Sequence, residues 1–372
     1  MDVATLHQDQ RDLDGQGMEE ESTFLQTNLV SDGFVPAPTM DPNLINPWGV
    51  AHGPATPFWV SDNGAGVATI YTGTGQPVKV GGLPAITVAA PPGQTSPSSP
   101  TGQVFNTSGH GFDISSGGKS ASSIFIFATE DGTISGWNPT VNPGSSVIAV
   151  DNSNGGTGAV YKGLAIAHDH HGTFLFAANF RDGTVDVFDK NFKQVNSFTD
   201  PSVPTGFAPF NVQVLDGHLF VTFAKQNAAK HDDVAGAGNG FVDEFNLSGH
   251  LLHRVASGGT LNSPWGLAIA PTGFGEFAHD LLVGNFGDGT INVFNPKTDQ
   301  FLGKLLGANG APIQIGDLWA LIPGNGSANS DPHKIYFTAG VQNEAHGLFG
   351  SLAPNPEQDH PMSMPVPHSM HG

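Results

Sequence analysis

Along most of the chain, short runs of Val, Ile, Leu and Phe alternate with polar residues and are broken at close intervals by Gly, Pro, Asn or Asp. A period of two is the pattern of half-buried strands, and no stretch shows the 3.6-residue apolar period of a helix. The pattern also repeats at a higher level. NPWGVA…FWVSDNGAGVATIY is followed by GHGFDI…IFIFATEDGTISGW, YKGLAI…FLFAANFRDGTVDVF, APFNVQ…LFVTFAKQ…GFVDEF, SPWGLA…LLVGNFGDGTINVF and GDLWAL…IYFTAGVQNEAHGLF. Taken as equivalent, Trp48, His110, Lys162, Phe210, Trp265 and Asp317 fall 62, 52, 48, 55 and 52 residues apart. Four-stranded units at this spacing close radially, so the expected fold is an all-β, six-bladed β-propeller.

The last unit offers only three strands, GDLWAL, KIYFTA and HGLFGSL, whereas an apolar β run from Thr23 to Val30 stands alone before the first. The economical arrangement makes that run the outer strand of blade six, which closes the ring and hides sheet edges. This divides the chain into a flexible acidic arm over 1–22, the propeller over 23–354 and a His/Met/Pro-rich tail over 355–372.

Composition sharpens the picture. There are 50 Gly in 372 residues, as many tight turns require. The net charge of −20 reflects 13 Lys+Arg against 33 Asp+Glu, which argues against nucleic acid or anionic membrane as partners. No cysteine is present, so disulfides and thiolate chemistry are excluded. Nor is there an apolar run long enough to insert in a membrane. The opening residues do not read as a signal peptide, which leaves either an intracellular protein or, as the lysine-poor, glycine-rich style suggests, an extracellular or periplasmic one whose signal has been removed.

In a propeller, the loops leading into the innermost strands and those joining second to third strands emerge on one face. Candidate chemistry is therefore sought there. The loops leading in supply the aromatics Trp48, Phe210 and Trp265 with Lys162, His110 and Asp317; the tips supply Asn179, Arg181, Lys225, Asn285, Glu344 and His346. Aromatics among a few polar groups suit a small molecule or a partner's peptide segment. The same aromatics would serve equally to pack blade tips, and the Asp-Gly pairs at Asp131, Asp182 and Asp288 read as hairpin turns.

Blade four departs from its siblings through AKQNAAKHDDVAGAGNG, from Ala224 to Gly240, which overhangs the expected mouth. His231 and Asp232 there, with His110, Glu344 and His346, form a candidate set for a divalent ion; Lys162 and Asp317 would then move protons in a metal-assisted hydrolase or lyase. Lys-His-Asp-Asp is also what a solvated turn looks like. The histidines of His-Asp-His-His, His168 to His171, fall on a hairpin turn of the opposite face, either as a metal-capturing cluster or as a solvated turn. In the tail, His360, Met362, Met364, His368, Met370 and His371 make a soft ligand set suited to copper, or a solvated segment of chance composition. No G-x-S-x-G, HExxH or P-loop occurs, and no organic cofactor is expected.

AANFRDGTVDVFD, AKQNAAKHDDVAGAGNGFVDEF, SPWGLAIAP, LLVGNFGDGTINVF and YFTAGVQNEAHGLFGSL together resemble a bacterial family of six-bladed, NHL-like propellers, often exported. That resemblance implies a fold rather than a reaction. The W-G-L-A step is more distantly similar to the gluconolactonase and regucalcin group, whose calcium is held by acidic and amide side chains. The matching positions here are Trp48, Phe210 and Trp265, with only Asp317 acidic, so a calcium lactonase of that design is not expected.

Overall fold

The computed structural model describes residues 22–356; the tail set from His360 to His371, like nearly all of the acidic arm, lies outside them. Six antiparallel sheets surround one axis. Their innermost strands are Pro47–Ala51, Pro100–Phe105, Tyr161–Asp169, Phe207–Leu215, Pro264–Ile269 and Leu318–Pro323. Blade three shows the plan: Tyr161–Asp169, Gly172–Asn179, Thr184–Phe188 and Gln194–Phe198 pair in order, outward from the axis. Helical conformation among the described residues is confined to 3-10 turns of three residues, and no helix is long and apolar enough to cross a membrane.

Alternation places one side of each strand against the next blade. Ala165, Phe176 and Val187 of blade three, for example, pack with Val212, Val221 and Phe241 of blade four. Each large side chain withdrawn in this way contributes about 1.5–3 kcal/mol. Closure is as the strand count requires. Thr23–Ser31 pairs antiparallel with Leu348–Pro354, Gln26 opposite Leu352 and Thr27 opposite Ser351, with Phe24 and Val30 buried. The short strands Thr39–Met40 and Leu306–Gly307 run parallel to it and cover part of the remaining edge.

Two of the expected equivalences shift. In blade two the innermost strand is Pro100–Phe105, and GHGFDI instead leads into an extra hairpin, Asp113–Ser116 with Lys119–Ser122. Thr101, not His110, therefore stands in the ring. In blade six the ring residue is Trp319, and Asp317 precedes the strand. The ring is thus Trp48, Thr101, Lys162, Phe210, Trp265 and Trp319. At all six positions the ladder itself marks the place: pairing is interrupted between Pro47 and Val50, Pro100 and Gln103, Tyr161 and Gly163, Pro209 and Asn211, Pro264 and Gly266, and Leu318 and Leu321. A bulge kinks the strand locally and turns the skipped side chain toward the axis.

The glycine after several ring residues has a separate cause. A Cβ on Gly49 would lie 2.4 Å from the Thr101 carbonyl oxygen, one on Gly102 2.3 Å from the Leu164 nitrogen, and one on Gly266 2.6 Å from the Trp319 oxygen. Inner strands of successive blades approach too closely for any side chain. Gly102→Ala is accordingly expected to cost about 1–2 kcal/mol in urea unfolding, within the range for overpacking a tight contact. An unchanged midpoint would show that the ring can widen.

Candidate functional site

All innermost strands run the same way along the axis, so turns joining first to second and third to fourth strands share one face, and the remaining loops share the other. The second face is the mouth. Trp48, Phe210 and Trp265 do not line an open channel there: they are 2%, 0% and 4% exposed. Trp48 stacks on Trp319 at 3.5 Å and 20°, Trp319 on Phe286 at 4.1 Å and 25°, and Trp265 meets both Trp48 and Trp319 edge-on. With Phe210 against Phe180, they form a plug. Aromatic packing at the bulged positions fills the axis, and Trp265 Nε1 donates to the Lys162 carbonyl at 3.2 Å.

Above the plug lies a polar layer. Lys162 is 2% exposed, its ammonium paired with Glu130, 3.7 Å from Asp232 Oδ1 and 4.9 Å from the centre of the Trp48 ring. Asn63 Nδ2 donates to the other Glu130 oxygen at 2.9 Å. Asn46 Nδ2 donates to Glu344 Oε2 at 2.7 Å while its oxygen accepts from Trp319 Nε1 at 3.1 Å. Burial pushes the Glu344 carboxyl up to about 7; the charges of Glu130 and Asp317 add to that and Lys162 opposes it. Asp317 accepts the backbone N–H of Asn343 at 2.8 Å and is itself raised by burial. Asp233 is raised by burial as well, and its Oδ2 has no hydrogen-bond partner among the described residues.

The blade-four loop brings His231 and Asp232 over this layer. His231 Nδ1 lies 2.7 Å from Asp232 Oδ1, and that contact holds the Asp232 carboxyl below its ordinary range. Beside them opens a cavity of about 430 Å³, lined among others by Gln94, Glu130, Asp131, Arg181 and His231. Asp131 fixes its outer wall, accepting from Gln94 Nε2 at 3.0 Å and the Ser99 N–H at 2.7 Å. This anchors the Pro/Ser-rich segment 89–100 between blades one and two. Arg181 Nη1 donates to the carbonyls of Gly156 and Gly158, shaping the facing loop.

The remaining sequence candidates are placed differently. Asn179 is buried and donates to Asp182 and Asp186, and Asn285 is buried and donates to Asp288 and Thr290, so both brace their blade tips. Gly132, Gly183 and Gly289, which follow the three tip aspartates, have φ of 85°, 75° and 69°, as turns demand. Lys225 is exposed beside the loop. His110 belongs to the opposite face, exposed, with Nδ1 2.7 Å from the Ser108 oxygen. At the mouth, His346 Nδ1 contacts Asp32 and its ring stacks on Phe34 at 4.1 Å. Of the five residues expected to share an ion, the structure thus joins only His231 and Asp232 directly, and adds Glu130: the donor atoms of these three lie within 4.8 Å of one another. Asn46 and Trp319 are the parts the sequence reasoning missed; Trp319 was visible as the W of GDLWAL once aligned with that of SPWGLA.

Known structures share the architecture. The chain matches a catalytically inactive virginiamycin B lyase from Staphylococcus aureus with quinupristin at 12% identity, over 90% of this chain and 99% of that one, with a TM-score of 0.51. A glucose dehydrogenase matches at 12% identity over 88% and 99%, with a TM-score of 0.50. Both likenesses are of fold. No family model matches the sequence. Closer in sequence are two proteins of Acanthamoeba polyphaga mimivirus: uncharacterized protein L690, 34% identical over 89% of this chain and 86% of its own length, and uncharacterized protein R648, 32% identical over 89% and 80%. These relatives are viral and lend no support to the bacterial origin that the motifs suggested. At such identity over nearly the whole chain, the protein belongs to the same family as these two mimivirus proteins.

Proposed function

We propose that this propeller binds a small polar molecule, neutral or cationic, in the cavity at its mouth. The observation that carries the reading is the 430 Å³ cavity into which Glu130, Asp131, Arg181 and His231 converge from three blades. A pocket of this size with a few placed ionisable groups is the usual form of a small-molecule site. Anions are disfavoured, because Glu130 and Asp131 line the cavity and the buried cation beside it, Lys162, is already engaged by Glu130 and Asp232. A resident metal is supported less well. Lys162 already supplies a buried cation to Glu130 and Asp232, and an ion bridging those carboxylates would have to displace or repel its ammonium.

Calorimetric titration with neutral sugars, polyamines and sugar phosphates is the test. The expected result is saturable binding by a neutral or cationic compound, weakened at least tenfold, about 1.4 kcal/mol, by His231→Ala or Arg181→Ala. Binding restricted to phosphates, or indifferent to both substitutions, would remove the reading. A second reading, proton transfer in a lyase or hydrolase reaction at the same mouth, is favoured by Glu344, which lies outside the cavity lining but whose carboxyl titrates near neutrality. It predicts that the bound compound is converted and that Glu344→Gln abolishes conversion while sparing binding.

A further inference from the structure

The mouth holds His231 and His346; the other described histidines fall on the opposite face, where the hairpin between Tyr161–Asp169 and Gly172–Asn179 carries His168, Asp169, His170 and His171. We propose that this hairpin turn binds one divalent transition-metal ion of the zinc, nickel or copper class through Asp169, His170 and His171.

Donor atoms of the three residues lie within 4.8 Å of one another. An ion with bonds of about 2.0–2.2 Å needs its ligand atoms about 3–4 Å apart, so small side-chain rotations suffice. Both imidazoles are exposed and their ring centres are 3.8 Å apart, so each can turn toward a shared point without unpacking anything. Asp169 is already oriented: its Oδ1 accepts the N–H of His171 at 2.7 Å and of Gly172 at 3.2 Å, which closes the turn and leaves Oδ2 outside that brace. Two imidazole nitrogens and one carboxylate oxygen are a borderline ligand set. It fits zinc, nickel or copper and is poorly matched to calcium or magnesium, which take oxygen. Water completes the sphere at an exposed turn.

The comparison with the mouth decides between the two clusters. Glu130, His231 and Asp232 offer the same kinds of donor at the same spacing, but Lys162 sits among them. No lysine or arginine pairs with Asp169 among the described residues. The uncompensated cluster is therefore the one that gains from a cation.

The test is zinc titration of the full chain by calorimetry, with copper(II) electron paramagnetic resonance on the same samples. The tail's histidines and methionines can add equivalents of their own, so the readout is the difference between variants. His170→Ala/His171→Ala is expected to lose one equivalent and the nitrogen couplings that go with it. Asp169→Asn, which keeps an oxygen to brace the turn, is expected to weaken that equivalent at least tenfold, since losing even a residue behind a ligand costs about 10–100-fold in affinity. Circular dichroism identical to that of the parent confirms that the turn variants are folded. An unchanged stoichiometry and affinity in the double variant overturns the proposal, as does loss of the equivalent in His231→Ala instead.

Discussion

Lys162→Met is expected to cost about 3–5 kcal/mol of folding free energy, the loss typical when one partner of a buried ion pair is removed. Methionine fits the volume of the lysine stem, so the packing on Trp48 and Phe180 largely survives; the cost comes from what remains. Glu130 would stay beneath the blade-four loop with Asn63 as its hydrogen-bond donor and Asp232 and Glu344 for company. The charge left unpaired, more than the bond removed, carries the penalty. Lys162→Met with Glu130→Gln should therefore recover more than half of the loss, since the amide is neutral and still accepts from Asn63. Urea unfolding of the two single variants and the double gives the coupling directly. If the double variant is no more stable than Lys162→Met alone, the pair is not the electrostatic centre of the mouth and the lysine acts through packing.

That pair also shows where sequence reading stops. The repeat and its glycine step announce the propeller because they arise from local causes: alternation from burial of one strand side, glycine from close approach around the axis. The outer strand that blade six lacks is legible for the same reason, since strands can be counted. Blade two misleads because an inserted hairpin carries the same apolar–polar alternation as a true inner strand, and only the pairing of Val104 with Ile126 and of Gln103 with Phe127 settles which is which. The aromatics were recognisable as belonging to the axis. Whether they face solvent or one another depends on how closely six blades converge, and no single repeat contains that information. Glu130, Lys162, Asp232 and Glu344 come from four different blades, so their mutual charges exist only in the closed ring.

Between about pH 4.5 and 7 the protein is expected to lose stability as pH rises, and Glu344→Gln is expected to flatten that loss. Burial raises the Glu344 carboxyl from an ordinary 4.5 to about 7 in the folded chain, so the native state binds this proton more tightly than the unfolded state does. The stabilisation is complete below the unfolded value and is gone once the pH has risen through the folded one. At 1.36 kcal/mol for each unit, the full swing is about 3 kcal/mol. Asp243, raised by burial to about 6, adds a contribution of the same sign at lower pH, which is why the comparison of variant with parent carries more than the parent's curve. Glutamine keeps an oxygen for Asn46 Nδ2 and never ionises; at pH 8 the variant should be about 2–3 kcal/mol more stable than the parent, with the difference shrinking as pH falls and vanishing below the unfolded value. A chain that keeps a destabilising carboxylate where an amide would fit has a use for its charge. If that use is to meet a cationic group of the bound molecule, the ligand will lower the Glu344 pKa, and its stabilisation of the parent will be larger at pH 8 than at pH 5 and nearly independent of pH in Glu344→Gln. Equal stability of the two proteins at pH 8 would mean that water reaches this carboxylate freely, and that the mouth holds no charge waiting to be neutralised.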